Sequence, residues 1–223
     1  MKNYTLKLFI SILVFSPFFN CFGQSGFSSG GRFAMGSSKF TEAPDSDSEV
    51  NTRLMFAGGF NANYFFGAGN IGLSTDVMLN FLGAKTEGTV EEQGTFGSNE
   101  YDYKDNFRFV RIELPLLVKL AIPVNEDFSF VGFAGPSFDF NLAGNQERTY
   151  EDNGGPNDFS ESIDDLETIS NSFKFGAGIM VTNAVGKIFM LDARWSRDLS
   201  SFTTGNTPDV KLGYFAFSIG FGF

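Results

Sequence analysis

The chain has 223 residues, including 30 Phe and 26 Gly, and a formal net charge of −10. It contains no His and one Cys, Cys21. That excludes Ser-His-Asp and Cys-His triads, HExxH zinc sites and an intrachain disulfide framework. The acidic balance disfavours nucleic acid as a partner, and no cofactor is expected.

Residues 1–23 read MKNYTLKLFISILVFSPFFNCFG. Lys2 and Lys7 precede an apolar run from Leu8 to Phe19, and Cys21 and Gly23 stand at −3 and −1 of a cut before Gln24. This is the layout of a cleaved secretory signal. The run is interrupted by Pro17 and falls short of the ~20 residues of a spanning helix. Asn20 stands where a lipobox wants a small residue, so Cys21 is not expected to carry lipid. The expected division is a signal over 1–23 and one domain over 24–223.

Beyond Gln24 the apolar residues recur with period two, the spacing of a strand with two unlike faces. In chain order the expected strands are Phe27–Gly36, Arg53–Phe66, Ile71–Leu82, Phe107–Leu120, Phe128–Leu142, Ser172–Asn183, Ile188–Leu199 and Val210–Phe223. In the fourth, Val110, Ile112, Leu114, Leu116, Val118 and Leu120 oppose Arg111, Glu113, Pro115, Leu117 and Lys119. In the last, Phe215, Phe217, Ile219, Phe221 and Phe223 oppose Tyr214, Ala216, Ser218, Gly220 and Gly222. These runs exceed the ~5–6 residues of an ordinary strand and suit the ~9–11 of a tilted membrane strand.

The links alternate in length. Short ones (67–70, 123–127, 184–187) carry Gly, Pro and Asn; long ones cover 37–52, 83–105, 143–171 and 200–209. The long links hold 19 of the 26 acidic residues and only four basic ones. The reading is an all-β, eight-stranded antiparallel up-and-down transmembrane barrel. Three short periplasmic turns, four long extracellular loops and an outer-membrane location follow from it.

Asp76, Arg111, Glu113, Lys119, Asp192 and Arg194 lie opposite the apolar stripes, which in a barrel means the lumen. A plug of paired charges is the expected state, and a narrow ion path is the alternative. Glu113 and Asp192 lack the companions of a catalytic site, so no enzyme is expected. Glu147, Glu151, Asp152, Asp158, Asp164 and Asp165 are expected to be a solvated acidic loop rather than a calcium site, since their spacing is not that of an EF-hand. Trp195 and Tyr214 read as interfacial aromatics. Ser160–Ser170 reads as a short helix in the third long link.

Four stretches, VRIELPLLVK (Val110–Lys119), VGFAGPSF (Val131–Phe138), FGAGI (Phe175–Ile179) and LDARWSRDL (Leu191–Leu199), together resemble the PorT-like outer-membrane β-barrel family of Bacteroidota. The resemblance implies a barrel over the mature chain. Phe221 and Phe223 look like the terminal aromatics read by the barrel-assembly machinery. Outer-membrane lipid, lipopolysaccharide and secretion-system or other envelope proteins are then the implied partners, with a structural or accessory role in secretion. A small porin-like channel is the other functional expectation.

Overall fold

The computed structural model describes residues 26–42, 48–66, 70–94, 97–150, 157–163, 166–183, 186–201, 203 and 210–222. The expected signal segment and Phe223 lie outside them. Among the described residues nine strands are formed: β1 (Phe27–Glu42), β2 (Glu49–Phe66), β3 (Ile71–Gly94), β4 (Gly97–Pro123), β5 (Phe128–Tyr150), β6 (Phe159–Ser162), β7 (Ile169–Thr182), β8 (Ile188–Asp198) and β9 (Lys211–Gly222). All pairings between them are antiparallel.

Eight strands close a ring in which β4 meets β5 and β1 meets β9, while β6 hangs on β5. Closure pairs the backbone that an open sheet would leave bare. One end of the ring holds the start of β1, the end of β9 and the short β2–β3, β4–β5 and β7–β8 links; the other holds the longer connections.

The turns are built by Asn and Gly. Asn125 Oδ1 accepts from the N–H groups of Asp127 (3.0 Å) and Phe128 (2.8 Å). Asn183 Oδ1 accepts from the Lys187 N–H at 2.9 Å, and the Asn183 N–H donates to the Lys187 carbonyl at 2.9 Å. Gly186, between them, sits at φ 78°, where a Cβ would be strained.

Three expectations are corrected. First, the long links are shorter than expected because the strands continue through them. β3 and β4 stay in register to the pair Gly94↔Gly97, so 83–105 is a hairpin, not a loop. β5 runs on to Tyr150, opposite Tyr103. Second, Phe159–Ser162 is a strand paired with Asn145–Arg148, and β7 begins at Ile169, so no helix fills the described part of 160–170. Third, Tyr214 is not interfacial: it points inward and is buried. Trp195 stays outside, its ring 4.9 Å from that of Phe175.

Candidate functional site: a charged interior beneath an apolar cork

Along the lower part of the ring the outer face is apolar and exposed, as at Phe33 (61%) and Val118 (58%). The inner face carries ten buried charged side chains: Arg32, Asp76, Arg111, Glu113, Lys119, Asp139, Lys174, Asp192, Arg194 and Asp198. The six residues that sequence alternation places inside are all among them. Of the other four, Lys174 alternates with Phe173 and Phe175, and Asp198 shares the parity of Asp192 and Arg194. Asp139 alternates with Phe138 and Phe140, and Arg32 precedes the outward Phe33. Those two lie in stretches of weaker alternation.

These groups form two tiers. Nearer the turn end, Arg32, Asp76, Arg194 and Asp192 make a ring of alternating charge. Arg194 donates to Asp76 and to Asp192 at 3.0 Å each. Arg32 donates to Asp192 and, at 2.7 Å, to Ser218, and its Nε stands 3.6 Å from Asp76 Oδ1. Ser218 donates to Asp192 at 2.7 Å. Lys119 lies beside this ring and donates to Asn63 Oδ1, which also accepts from Ser74 at 2.9 Å. Lys119 and Arg32 both touch the Met190 sulfur.

The second tier joins β4, β5, β7, β8 and β9. Lys174 donates to Glu113 and to the Tyr214 hydroxyl (2.9 Å), which donates on to Glu113 at 2.9 Å. Arg111 grips Asp198 with two nitrogens at 2.9 and 3.2 Å and stands 3.5 Å from Asp139. Asp139 accepts from Ser137 at 2.6 Å, and Asp198 from the Leu212 N–H at 3.0 Å. A buried ion pair stabilises little against an apolar pair of equal volume, but losing one partner costs ~3–5 kcal/mol. The tiers therefore stitch distant strands together and hold each other's charge.

Above the second tier the interior turns apolar. Phe40, Met55, Leu82, Ala84, Phe107, Phe109, Val210 and Leu212 pack with partly buried Val50, Ile163 and Leu166. The Phe40 ring lies 5.0 Å from Phe107 and 6.3 Å from Phe109. Leu166, drawn in from the β6–β7 link, is bridged to Thr203. This cork was not read from the sequence, because its residues come from positions assigned to loops or strand ends.

Beyond the cork, β3, β4, β5 and β6 continue as a projecting sheet. Arg148 pairs across to Asp105 through two bonds of 2.7 and 2.6 Å, and Gln146 adds a third at 3.0 Å. The Arg148 guanidinium lies 4.1 Å over the Tyr103 ring. The hydrogen bonds to Asp105 hold Arg148 above its ordinary pKa. Of the six acids named for the third loop, Glu147 pairs with Arg108 at 2.9 Å and Asp158 accepts from the Tyr150 N–H at 3.0 Å. The other four lie outside the described residues.

A family model described as the outer membrane protein beta-barrel domain matches residues 22–204. No curated protein matches the chain. Among solved structures, it is similar to the attachment invasion locus protein Ail of Yersinia pestis, crystallised with the heparin analogue sucrose octasulfate. That pair shows 17% identity over 89% of this chain and 100% of the other, with a TM-score of 0.38. OprG from Pseudomonas aeruginosa shows 13% identity over 89% and 95% of the two chains, TM-score 0.45. Neisserial surface protein A shows 11% over 89% and 97%, TM-score 0.45.

Proposed function

The chain belongs to the outer membrane protein beta-barrel domain family and is an integral outer-membrane barrel; on that premise we propose that it is a non-enzymatic, non-conducting scaffold that displays its projecting sheet outside the cell. The observation that carries this reading is the filled interior: two charged tiers under an apolar cork, in series along one lumen. An ion crossing it would have to break paired charges and then enter a cluster of Phe and Leu. The interior carboxylates are held by Arg, Lys, Tyr and Ser, an arrangement suited to fixing strands rather than to cycling a proton. Eight-stranded barrels are narrow enough for side chains to fill.

Single-channel recording in planar bilayers tests it. A quiet membrane with heat-modifiable, folded protein present is the expected result. Reproducible conductance steps would replace this reading with the porin-like channel.

Four points of finer detail belong to the same proposal. Residues 1–23 are an export signal cut before Gln24, which N-terminal mass spectrometry of the membrane-bound protein tests. Phe221, outward and 40% exposed near the end of β9, forms with Phe223, which lies outside the described residues, the mark for the assembly machinery. Lipopolysaccharide and other envelope proteins are the partners. A PorT-like accessory role in secretion rests on the four resembling stretches alone, and these fall on wall strands β4, β5, β7 and β8. Deleting the chain from its host and assaying exported protein decides the last point: lost export supports the role, unchanged export removes it.

A further inference from the structure

At one height the outer face changes character. Between the turns and that height, the ten charged side chains carried by the described strands all point inward. Immediately above it, five cations stand in a row. Arg197 on β8 pairs with Gly213 on β9, and Gly213 pairs with Lys39 on β1. Ser38, next to Lys39, pairs with Arg53 on β2. Arg53 reaches over Gly83 of β3 to donate to Asn106 and, at 3.1 Å, to the Phe107 carbonyl. Asn106 pairs with Lys85, and Gly83 with Arg108. Lys39, Lys85, Arg108 and Arg197 are exposed and Arg53 is half-buried. The row spans six neighbouring strands, from β8 through β9 and β1 to β4.

Directly beneath it are Trp195, Phe215, Met35, Leu54, Phe56 and Phe81, the top of the uncharged band. Among the described residues, the acid in contact with the row is Glu147, on Arg108; Glu49, Glu87 and Asp102 stand further out. A row of cations at the edge of an apolar band sits at headgroup height. In a chain whose outer region is otherwise strongly acidic, such a row is not explained by solubility.

We propose that Arg197, Lys39, Arg53, Lys85 and Arg108 form a belt that binds the phosphate groups of a phosphorylated glycolipid in the outer leaflet. Ammonium and guanidinium groups make charge-assisted bonds to phosphate oxygens. The belt depends on the outward orientation of the long-strand end, and not on whether the lumen conducts.

The test uses the full chain folded in zwitterionic detergent, with Trp195 emission as the readout beside Arg197. It is titrated with bisphosphorylated lipid A, with dephosphorylated lipid A and with inorganic phosphate. The variant is Lys39→Gln/Lys85→Gln/Arg197→Gln, whose three side chains make no hydrogen bond or ion pair with other described residues. Heat-dependent gel mobility checks its fold.

The expected loss is about fivefold per cation, or about 100-fold for bisphosphorylated lipid A with all three removed. Affinity of the unaltered chain should also fall as salt rises, a measurement that stands even if the variant misfolds. Equal affinity of variant and parent, equal affinity for dephosphorylated lipid A, or salt-independent binding would each overturn the belt. So would inorganic phosphate binding as tightly as the lipid, which would mark a free-anion site. Conductance steps, which would end the scaffold reading, leave the belt standing.

Discussion

The wall below the cation row and the wall above it are built from the same strands with opposite rules. β4 shows both. Below, its outward residues are Leu116, Leu114, Ile112 and Val110, and its inward ones include Lys119, Glu113 and Arg111. Above, the outward residues are Arg108, Asn106 and Lys104, and the inward ones are Phe109 and Phe107. The alternation never stops; the faces exchange chemistry. Lipid outside makes the outer face apolar and leaves charge to the interior, where it must be paired. Water outside restores the ordinary arrangement, with apolar residues in and charge out. Register shifts fall near the exchange, between Phe40 and Glu42, between Thr52 and Phe56, and between Val110 and Arg111. Bulges favour such rims because they bend a strand locally.

The largest expected effect lies in the lower region. Arg194→Met removes one of the two cations shared by Asp76 and Asp192 and leaves Arg32 between them, with Ser218 still donating to Asp192. Destabilisation of about 3–5 kcal/mol is expected, measured by urea unfolding in lipid vesicles with Trp195 fluorescence. Pairing it with Asp76→Asn should cost less than the two single changes added together. Strict additivity would mean that the ring of charge does not act as a unit.

Next comes a charge on the wrong face. Val118→Lys puts an ammonium into the lipid band, at about 2–4 kcal/mol near the midplane. The same unfolding assay reads it, and a loss within noise would mean that Val118 does not face lipid.

Above the row the effects shrink. Asp105→Asn weakens the grip on Arg148, which is partly exposed and can turn to water. About 1 kcal/mol is expected, since exposed pairs contribute little. It should appear as faster proteolysis of the projecting sheet with unchanged gel mobility. The smallest effect is expected for the mirror of Val118→Lys, namely Lys104→Val on the outer face of the sheet, within about 0.5 kcal/mol. A large loss there would erase the contrast between the regions.

This exchange also explains what could and could not be read from the sequence. The spanning strands, their inward faces and the eight-strand ring were legible, because a wide apolar stripe with period two persists from Val110 to Leu120 and in its counterparts. The stripe ends at Val110, so the pattern predicts a strand from Phe107, whereas β4 begins at Gly97. Apolar residues above that point, such as Phe40 and Phe107, sit on the other face and break the pattern that defined the strand. Tyr214 was misplaced for a related reason. Its ring suggested an interface, but its position in the alternation already put it beside Ala216 and Ser218, facing in. The partners of Arg111 and Glu113 were not legible, because pairing such as Glu113 with Lys174 depends on which strands close the ring.

The most direct test of this account is a depth scan along β4. Nitroxide labels are placed singly at Leu116, Val110, Arg108 and Lys104 in a Cys21→Ser background, with the folded protein in lipid vesicles. Collision rates with oxygen and with a water-soluble nickel complex are then compared. Oxygen should dominate at Leu116 and Val110, and nickel at Arg108 and Lys104, with the crossover between Val110 and Arg108. Oxygen dominance continuing to Lys104, or nickel access already at Leu116, would contradict the exchange of faces at the cation row.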